Sequence, residues 1–413
     1  MKFSFHCNLV PNILFNKIIN HVITKMRQKI LILGCNCYQL PLIEEAKKTN
    51  HEVYIVSKFY NEKINPYKKN FLKIDLKNVD KIYQVAKDLN IKKVASTGSD
   101  IALPALGKLN NFLNTDGVSI RDASLVNNKR LLKNFFKKHN LPSPKHQLIS
   151  FSKKTKINLT FPILLKRVDL SGSKGILLLK KKKDLTNIIK KKLNKKKFIL
   201  EEFIVGEEFG AQVYFQNNSI LDIVPHGDFI SSGKNTTPIG HYLPLELENK
   251  ILSKIRRYAS KIIKNVKAKT GFINFDFILK NQKLYILEFS LRPGGTGIPE
   301  LINEATKKNF FRILLSMNKT RFNYGKKIVL PKKIYFSYLI KAKKSGILKK
   351  IKINNYFNKL IKINKVDIDY KYGQKVRKFK YGNDRIGMVL GEVHNKYLDI
   401  QKYLEKIIEV IVK

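Results

Sequence analysis

Between Lys29 and about Thr97 the chain switches repeatedly between two periods, and that alternation restricts its fold more than any other feature. Ile30–Leu33 is an unbroken apolar run ending in Gly34, and Pro41–Lys48 has helical spacing. Glu52–Val56 is a second strand-like run, Val79–Leu89 reads as helix, and Lys93–Thr97 as a third strand. Strands joined by helices of roughly ten residues form right-handed βαβ units on a parallel sheet. A dinucleotide fold would place G-x-G-x-x-G after the first strand. Here Gly34 is followed by Cys-Asn-Cys-Tyr-Gln, which argues against NAD. The loop is still a ligand edge, because loops at strand C-termini line the crevice of such sheets.

Beyond this region the pattern changes. Asn127–Asn140 reads as an amphipathic helix, with Leu131, Leu132, Phe135 and Phe136 apolar, closed by Leu141-Pro142-Ser143-Pro144. Strands are expected at Phe161–Leu165, Ile176–Leu179, Phe198–Leu200, Glu208–Phe215 and Ile220–Val224. A helix over Leu252–Val266 precedes two more strands, Phe272–Leu279 and Lys283–Phe289, around the turn Lys280-Asn281-Gln282. From about Tyr324 the spacing is strand-like, with a last helix expected over Asp399–Val412. A chain of 413 residues calls for two or three domains. The divisions expected are 1–28, an extension that is disordered or precedes a true start at Met26; 29–120, an α/β domain; 121–320, a central domain; and 321–413, a C-terminal module.

Hydrophobic residues make up 43% of the chain, enough for folded cores, and no window approaches the ~18 uninterrupted apolar residues of a spanning helix. Three cysteines, Cys7, Cys35 and Cys37, lack both a disulfide framework and zinc spacing, which fits ordinary thiols in a reducing cytoplasm. A formal net charge of +50 invites a nucleic-acid reading. Only eleven of the 81 basic residues are Arg, however, and the lysine runs Lys180–Lys183 and Lys190–Lys197 carry no interleaved aromatics. Specific readout recruits Arg heavily. The charge predicts salt-sensitive adhesion to polyanions, while the few Arg argue against a specific nucleic-acid partner and the hydropathy against a membrane one.

Three segments carry chemistry. Lys166 ends a strand and is followed by Ser171-Gly172-Ser173-Lys174-Gly175, small residues that let backbone and hydroxyls approach a phosphate. Glu201-Glu202-Phe203-Ile204-Val205-Gly206-Glu207-Glu208 is an acidic, extended segment in a basic chain; extended backbone reads an adenine edge and a carboxylate accepts from ribose hydroxyls. Asp276 and Glu288 lie on two strands joined by a tight turn, which brings them close. Paired carboxylates repel unless a cation sits between them, and hard oxygen ligands suit Mg²⁺ on nucleotide phosphates. Arg292 then opens Arg-Pro-Gly-Gly-Thr-Gly, a planar cation able to stabilise a transferring phosphoryl group.

In this order the segments resemble the ATP-grasp superfamily, specifically its carboxylate–amine/thiol ligases, with an ATP-binding domain similar to that of the carbamoyl-phosphate synthase large chain. The likeness runs from about Lys29 to Ser316, with an echo at Gly382–Gly391. It rests on K-x-x-D-x-S-G-S-x-G at Lys166–Gly175, E-E-F-I-x-G-x-E at Glu201–Glu208 and L-E-F-S-x-R-P-G-G at Leu287–Gly295. The resemblance implies a parallel α/β N-terminal domain, a two-lobed ATP-grasp domain of α+β type and a small, mostly β C-terminal module. It implies that Lys129 and Lys166 contact nucleotide phosphates, that Ser171, Gly172 and Ser173 form a lid, and that Glu202 and Ile204 read adenine. Glu208 would then hold ribose, Asp276, Glu288 and Ser290 the metal, and Arg292, with Lys166, the reacting centre. Ser290 stands where relatives usually carry Asn, Asn127-Asn128 replaces the more usual Asp before Lys129, and Arg167 replaces a common Pro.

The implied activity is ATP-dependent joining of a small carboxylate to an amine through an acyl-phosphate, with ATP and Mg²⁺ (or Mn²⁺) and a homodimer as the assembly common among such ligases. Besides a dinucleotide-binding oxidoreductase, which the missing glycine fingerprint argues against, there are two rivals. A carboxylase or formyl-transferring relative would differ around His226–Pro244. A basic nucleic-acid-binding protein on a degenerate scaffold would be expected to lack Lys166 or Glu288.

Overall fold

The computed structural model describes residues 27–149, 156–168, 175–190, 198–231, 237–317, 324–325, 327–354, 359–394 and 399–413. Ser171, Gly172 and Ser173, expected to form a lid, lie outside the described residues, as do the extension up to Met26 and Cys7.

The N-terminal region runs β1 (Gln28–Leu33), α1 (Leu40–Lys48), β2 (His51–Ser57), β3 (Phe71–Lys73), α2 (Val79–Asp88), β4 (Lys93–Ala95), α3 (Leu103–Phe112) and α4 (Ile120–Val126). Its four strands are parallel in the order β3-β2-β1-β4, as the alternating periods require. The apolar run of β1 is continuous because both faces are covered. Ile30 and Ile32 pack with α1 and Leu42, while Leu31 and Leu33 pack with Ile82, Ala86 and Leu109. A capping box of Ser119 and Asp122 starts α4. Asp122 also accepts from Lys267 N and Ala268 N, both at 2.9 Å, which anchors α4 to the segment before Gly271.

The Asn128 side chain caps α5 (Lys129–Lys138) by accepting from Arg130 N and Leu131 N, so Asn does here what Asp does elsewhere. A small antiparallel sheet follows from β5 (His146–Ile149), β6 (Ile163–Arg167), β7 (Leu177–Leu179) and β8 (Phe198–Glu202), in the order β5-β8-β6-β7, with α6 (Lys182–Lys190) against it. This is the first lobe of the central domain.

The second lobe contains β9 (Glu207–Gln216), β10 (Ser219–Ile230), β11 (Pro238–Leu243), α7 (Asn249–Asn265), β12 (Gly271–Lys280) and β13 (Lys283–Ser290). Its sheet reads two ways along each strand. Phe209, Ala211 and Val213 of β9 and Phe275 and Phe277 of β12 point at the apolar stripe of α7, Ile251, Ile255, Tyr258, Ala259, Ile262 and Ile263. Glu208, the intervening polar Asn274 and Asp276 point the other way, into a cleft. That period-2 division is why this strand pair tolerates carboxylates.

After α8 (Ile298–Thr306) and α9 (Phe310–Ser316) the chain forms β14 (Ile334–Ile340), β15 (Gly346–Ile353), β16 (Ile361–Ile368), β17 (Lys375–Val376), β18 (Gly387–Val393), α10 (Ile400–Ile407) and β19 (Ile408–Val412). The expected last helix over Asp399–Val412 therefore stops early. The β-branched run Ile408-Glu409-Val410-Ile411-Val412 leaves helix and pairs antiparallel with β15. The C-terminal module is also less separate than expected: β14, β18 and β16 extend the central sheet, whose full order is β13-β12-β9-β10-β11-β14-β18-β16. Among the described residues no helix is long and apolar enough to cross a membrane.

Candidate active site

The β12–β13 hairpin is built by its turn and by one irregularity. Asn281 and Gln282 both have left-handed φ, 48° and 60°, the conformation of a tight two-residue turn between Lys280 and Lys283. From that turn the register runs Leu279↔Leu284, Ile278↔Tyr285, Phe277↔Ile286 and would continue Asp276↔Leu287. A bulge between Asp276 and Phe277 skips Leu287 and sets Asp276 opposite Glu288 and Asn274 opposite Ser290. The carboxylate pair is thus a product of the bulge, without which Asp276 would face a leucine.

Asp276 is open to cleft water, yet the surrounding protein disfavours its charge, and Glu288 beside it adds repulsion; together they push its carboxyl up to about 7. Glu288 has a partner: Lys129 Nζ donates to its Oε2 at 3.2 Å. One turn further along α5, on the same face, Lys133 Nζ lies 2.6 Å from Glu201 Oε2. Lys166 of β6 donates to the other oxygen of the same carboxylate. Glu201 is only 1% exposed. Burial alone would raise its carboxyl, but Lys166 and Lys133 outweigh that and hold it down at about 2. One carboxylate therefore ties the first lobe to α5 and fixes the ammonium of Lys166.

The segment linking the two lobes, Glu202-Phe203-Ile204, lies on the same cavity. Glu202 N donates to Lys145 O at 2.8 Å, and its side chain accepts from Lys145 N at 3.3 Å, so the strand end is pinned. The N–H of buried Ile204 has no hydrogen-bond partner among the described residues. Glu208 stands next along β9, its carboxyl raised by burial and then by the nearby Asp228 charge.

Arg292 follows β13. Its Nε and Nη2 donate to Asp100 Oδ1 and Oδ2 at 2.6 and 2.8 Å, and its Nη1 donates to Pro293 O at 2.8 Å. Ser290 Oγ donates to the same Asp100 Oδ1 at 3.0 Å. The hydroxyl expected to face a metal thus gives its proton to the N-terminal domain. Across the hairpin, Asn274 Nδ2 lies 3.4 Å from Asp276 Oδ1, and its Oδ1 accepts from Gln212 Nε2 at 2.5 Å.

Lys129, Lys166, Glu202, Ile204, Glu208, Asp276, Glu288, Ser290 and Arg292 line one cavity of about 1210 Å³. Every candidate among the described residues is brought there. Several lining groups are given no individual role by the sequence, although Glu201 and His226 fall in segments it singles out. Asp100 sits just past β4, at a strand C-terminus of the parallel sheet, where the crevice rule points but no residue type stands out. Glu201 belonged to a visible acidic pair, but nothing in the sequence says that it faces two lysines. His226 Nδ1 and His241 Nδ1 both donate to Asp228 Oδ1, at 2.9 and 2.6 Å. An ionised carboxylate only accepts, so each ring carries its proton on Nδ1. The His226 ring lies over Gly210, where a Cβ would come within 2.2 Å of its Cε1, so only glycine fits there. At the far end of the cavity, Arg385 pairs with Asp369 at 2.7 Å and stacks 4.9 Å from the Tyr38 ring centre, joining the C-terminal module to the loop after β1.

Residues 126–296 match the family model of the ATP-grasp domain. The chain is 32% identical over 154 residues to a D-alanine--D-alanine ligase of Fusobacterium nucleatum, covering 36% of this chain and spanning about half (52%) of that relative. It is 24% identical over 327 residues to a carbamoyl-phosphate synthase of Methanobrevibacter smithii, covering 73% of this chain and 86% of that one. Among solved structures, a phosphoribosylglycinamide synthetase from Anaerococcus prevotii superposes with a TM-score of 0.77 at 27% identity, covering 94% of this chain and 100% of that one.

Proposed function

We propose that this chain, whose residues 126–296 are an ATP-grasp domain, is an ATP-dependent carboxylate–amine ligase that releases ADP and phosphate. The observation that carries the reading is the bulge-aligned pair Asp276 and Glu288, facing Lys129 and Arg292 across one cavity. Two adjacent carboxylates, one pushed up to about 7 by the surrounding protein and then by the neighbouring Glu288 charge, fit a divalent cation. Asp276 and Glu288 would hold Mg²⁺ or Mn²⁺, with Ser290 or Asn274 beside them, and the ion when bound supplies positive charge against phosphate oxygens.

The remaining work falls to the chain's own side chains. Ile204 N–H offers a donor to the adenine edge, and Glu208 accepts from ribose hydroxyls. Lys166, steadied by Glu201, and Lys129 place positive charge along the triphosphate. Arg292 offers planar donors where charge builds as the substrate carboxylate attacks the γ-phosphate. The amine then displaces phosphate from the acyl-phosphate, an intermediate that must be kept from water until then. No nucleophilic side chain is needed; positioning and electrostatics suffice.

The test is ADP release from ATP and Mg²⁺ with a panel of small carboxylates and amines, with Glu288→Gln as control. Turnover that needs one acid–amine pair and falls by about 10³-fold in the variant is expected. ADP release that ignores the amine, or survives Glu288→Gln, would overturn the reading.

A further inference from the structure

We propose that Asp100, carried by the N-terminal domain, is the positioning residue for Arg292, and that the phosphoryl-transfer end of the cavity is incomplete without it. This inference rests on the ligase reading for its kinetic arm, and a second arm is independent of it.

Asp100 opens the short turn Asp100–Ala102 after β4, and that turn is itself pinned: Asn127 Nδ2 donates to Asp100 O at 2.9 Å. Its carboxylate then makes three bonds across the domain boundary, to Nε and Nη2 of Arg292 at 2.6 and 2.8 Å and to Oγ of Ser290 at 3.0 Å. Both charged side chains are largely shielded, 16% and 14% exposed. Burial opposes the Asp100 charge, but the Arg292 guanidinium outweighs it and keeps the carboxyl below its ordinary value.

The geometry of the guanidinium matters most. It has five N–H bonds. Asp100 takes two and Pro293 O takes one. The two left over are one on each terminal nitrogen, available to donate to oxygens of a carboxylate or phosphate. Asp100 therefore settles which edge of Arg292 is offered to a ligand. It also settles what Arg292 does not do. Asp276 and Glu288 both act on Arg292 through charge, and without Asp100 they are the remaining acids toward which the guanidinium could swing, filling the place proposed for the cation. A carboxylate from a different domain holds it away.

The experiment compares full-length wild type, Asp100→Asn, Arg292→Lys and the double variant, each first checked for a cooperative thermal transition. Asp100→Asn is expected to lower kcat for ADP release by about 100-fold, the scale of a misplaced catalytic group, with the KM for ATP changed by less than about threefold. The double variant is expected to lose little beyond Arg292→Lys alone, because both changes act through one guanidinium. A wild-type kcat in Asp100→Asn, or losses that multiply in the double variant, would overturn the proposal. Should wild type release no ADP with any pair, the ligase reading fails, and the Asp100 proposal is decided by NMR of the Arg292 Nε–H, identified by its absence in Arg292→Lys. A slowly exchanging signal in wild type that disappears in Asp100→Asn supports it, and an unchanged signal overturns it. If Asp100→Asn does not fold, the same signal is read in Asp100→Glu, where a shifted resonance is expected and an unshifted one sinks the idea.

Discussion

Glu201 and Asp276 are both carboxylates on the walls of one cavity, and the protein treats them in opposite ways. Glu201 is sealed in and given two lysines, so its charge is held on, its carboxyl lying at about 2. Asp276 faces the cleft, where desolvation by the surrounding protein and then the charge of Glu288 resist its ionisation up to about 7. The contrast separates a carboxylate satisfied by the fold from one that awaits a partner from outside. The first ties lobes together; the second marks where an external cation belongs.

The largest effect that could break this contrast is on stability at Glu201. Glu201→Gln leaves two buried ammonium groups facing a neutral amide and should destabilise the chain by about 3–5 kcal/mol in denaturant unfolding. A loss below about 1 kcal/mol would mean that water or another group already serves those lysines. Asp276→Asn should do the reverse: unfolding in the absence of divalent ions is unchanged or slightly more resistant, while ADP release drops by about 10³-fold. Strong destabilisation by this change would show that Asp276 is a structural partner after all.

Titration sharpens the comparison, with opposite signs. The folded Asp276 carboxyl keeps its proton where the unfolded one, near 3.8, has lost it. The stability difference between wild type and Asp276→Asn should therefore fall as pH rises from about 4 to about 7, and Mg²⁺ at the upper end should restore it. For Glu201 the folded carboxyl lies below the ordinary 4.5, so its stabilisation is complete above that value and is lost only as pH falls toward about 2. A flat Asp276 difference across that window would remove the repulsion argument. The smallest effect concerns salt. Going from about 0.1 to about 0.5 M NaCl should move the difference between wild type and Glu201→Gln by less than about 0.5 kcal/mol, because a buried cluster is poorly screened. A larger shift would show that the cluster is wet.

The same contrast marks what could be seen in the sequence. The parallel N-terminal sheet, the amphipathic α5 and α7, and the β12–β13 pair were readable because each rests on local periodicity. Asp276 with Glu288 was readable too, though the bulge at Leu287 that aligns them was not, since nothing in Lys283–Phe289 announces an extra residue. Glu201 was seen only as half of an acidic pair; its role depends on Lys133 and Lys166, which are 68 and 35 positions away from it in the chain. Asp100 was invisible for the same reason: its partner is Arg292, one acid among 31 meeting one of eleven arginines across a domain boundary. The strand Ile408–Val412 was misread as helix because α10 just before it has strong helical spacing, and only the partner strand β15 decides where the helix ends.

The uninterrupted sheet from β13 to β16 has a practical consequence for anyone cutting this chain into pieces. The ATP-grasp match stops at residue 296, but β11 is hydrogen-bonded to β14, and β14 to β18, well beyond it. An expression fragment ending at that boundary would carry β11 as a bare edge with Leu243 and Ile239 stripped of cover, an invitation to swap strands or to precipitate. The smallest piece expected to stay monodisperse runs through β19, because β15 pairs with β19 and α10 packs into the same core, so the recognised family segment is not a unit that can be excised or shuffled.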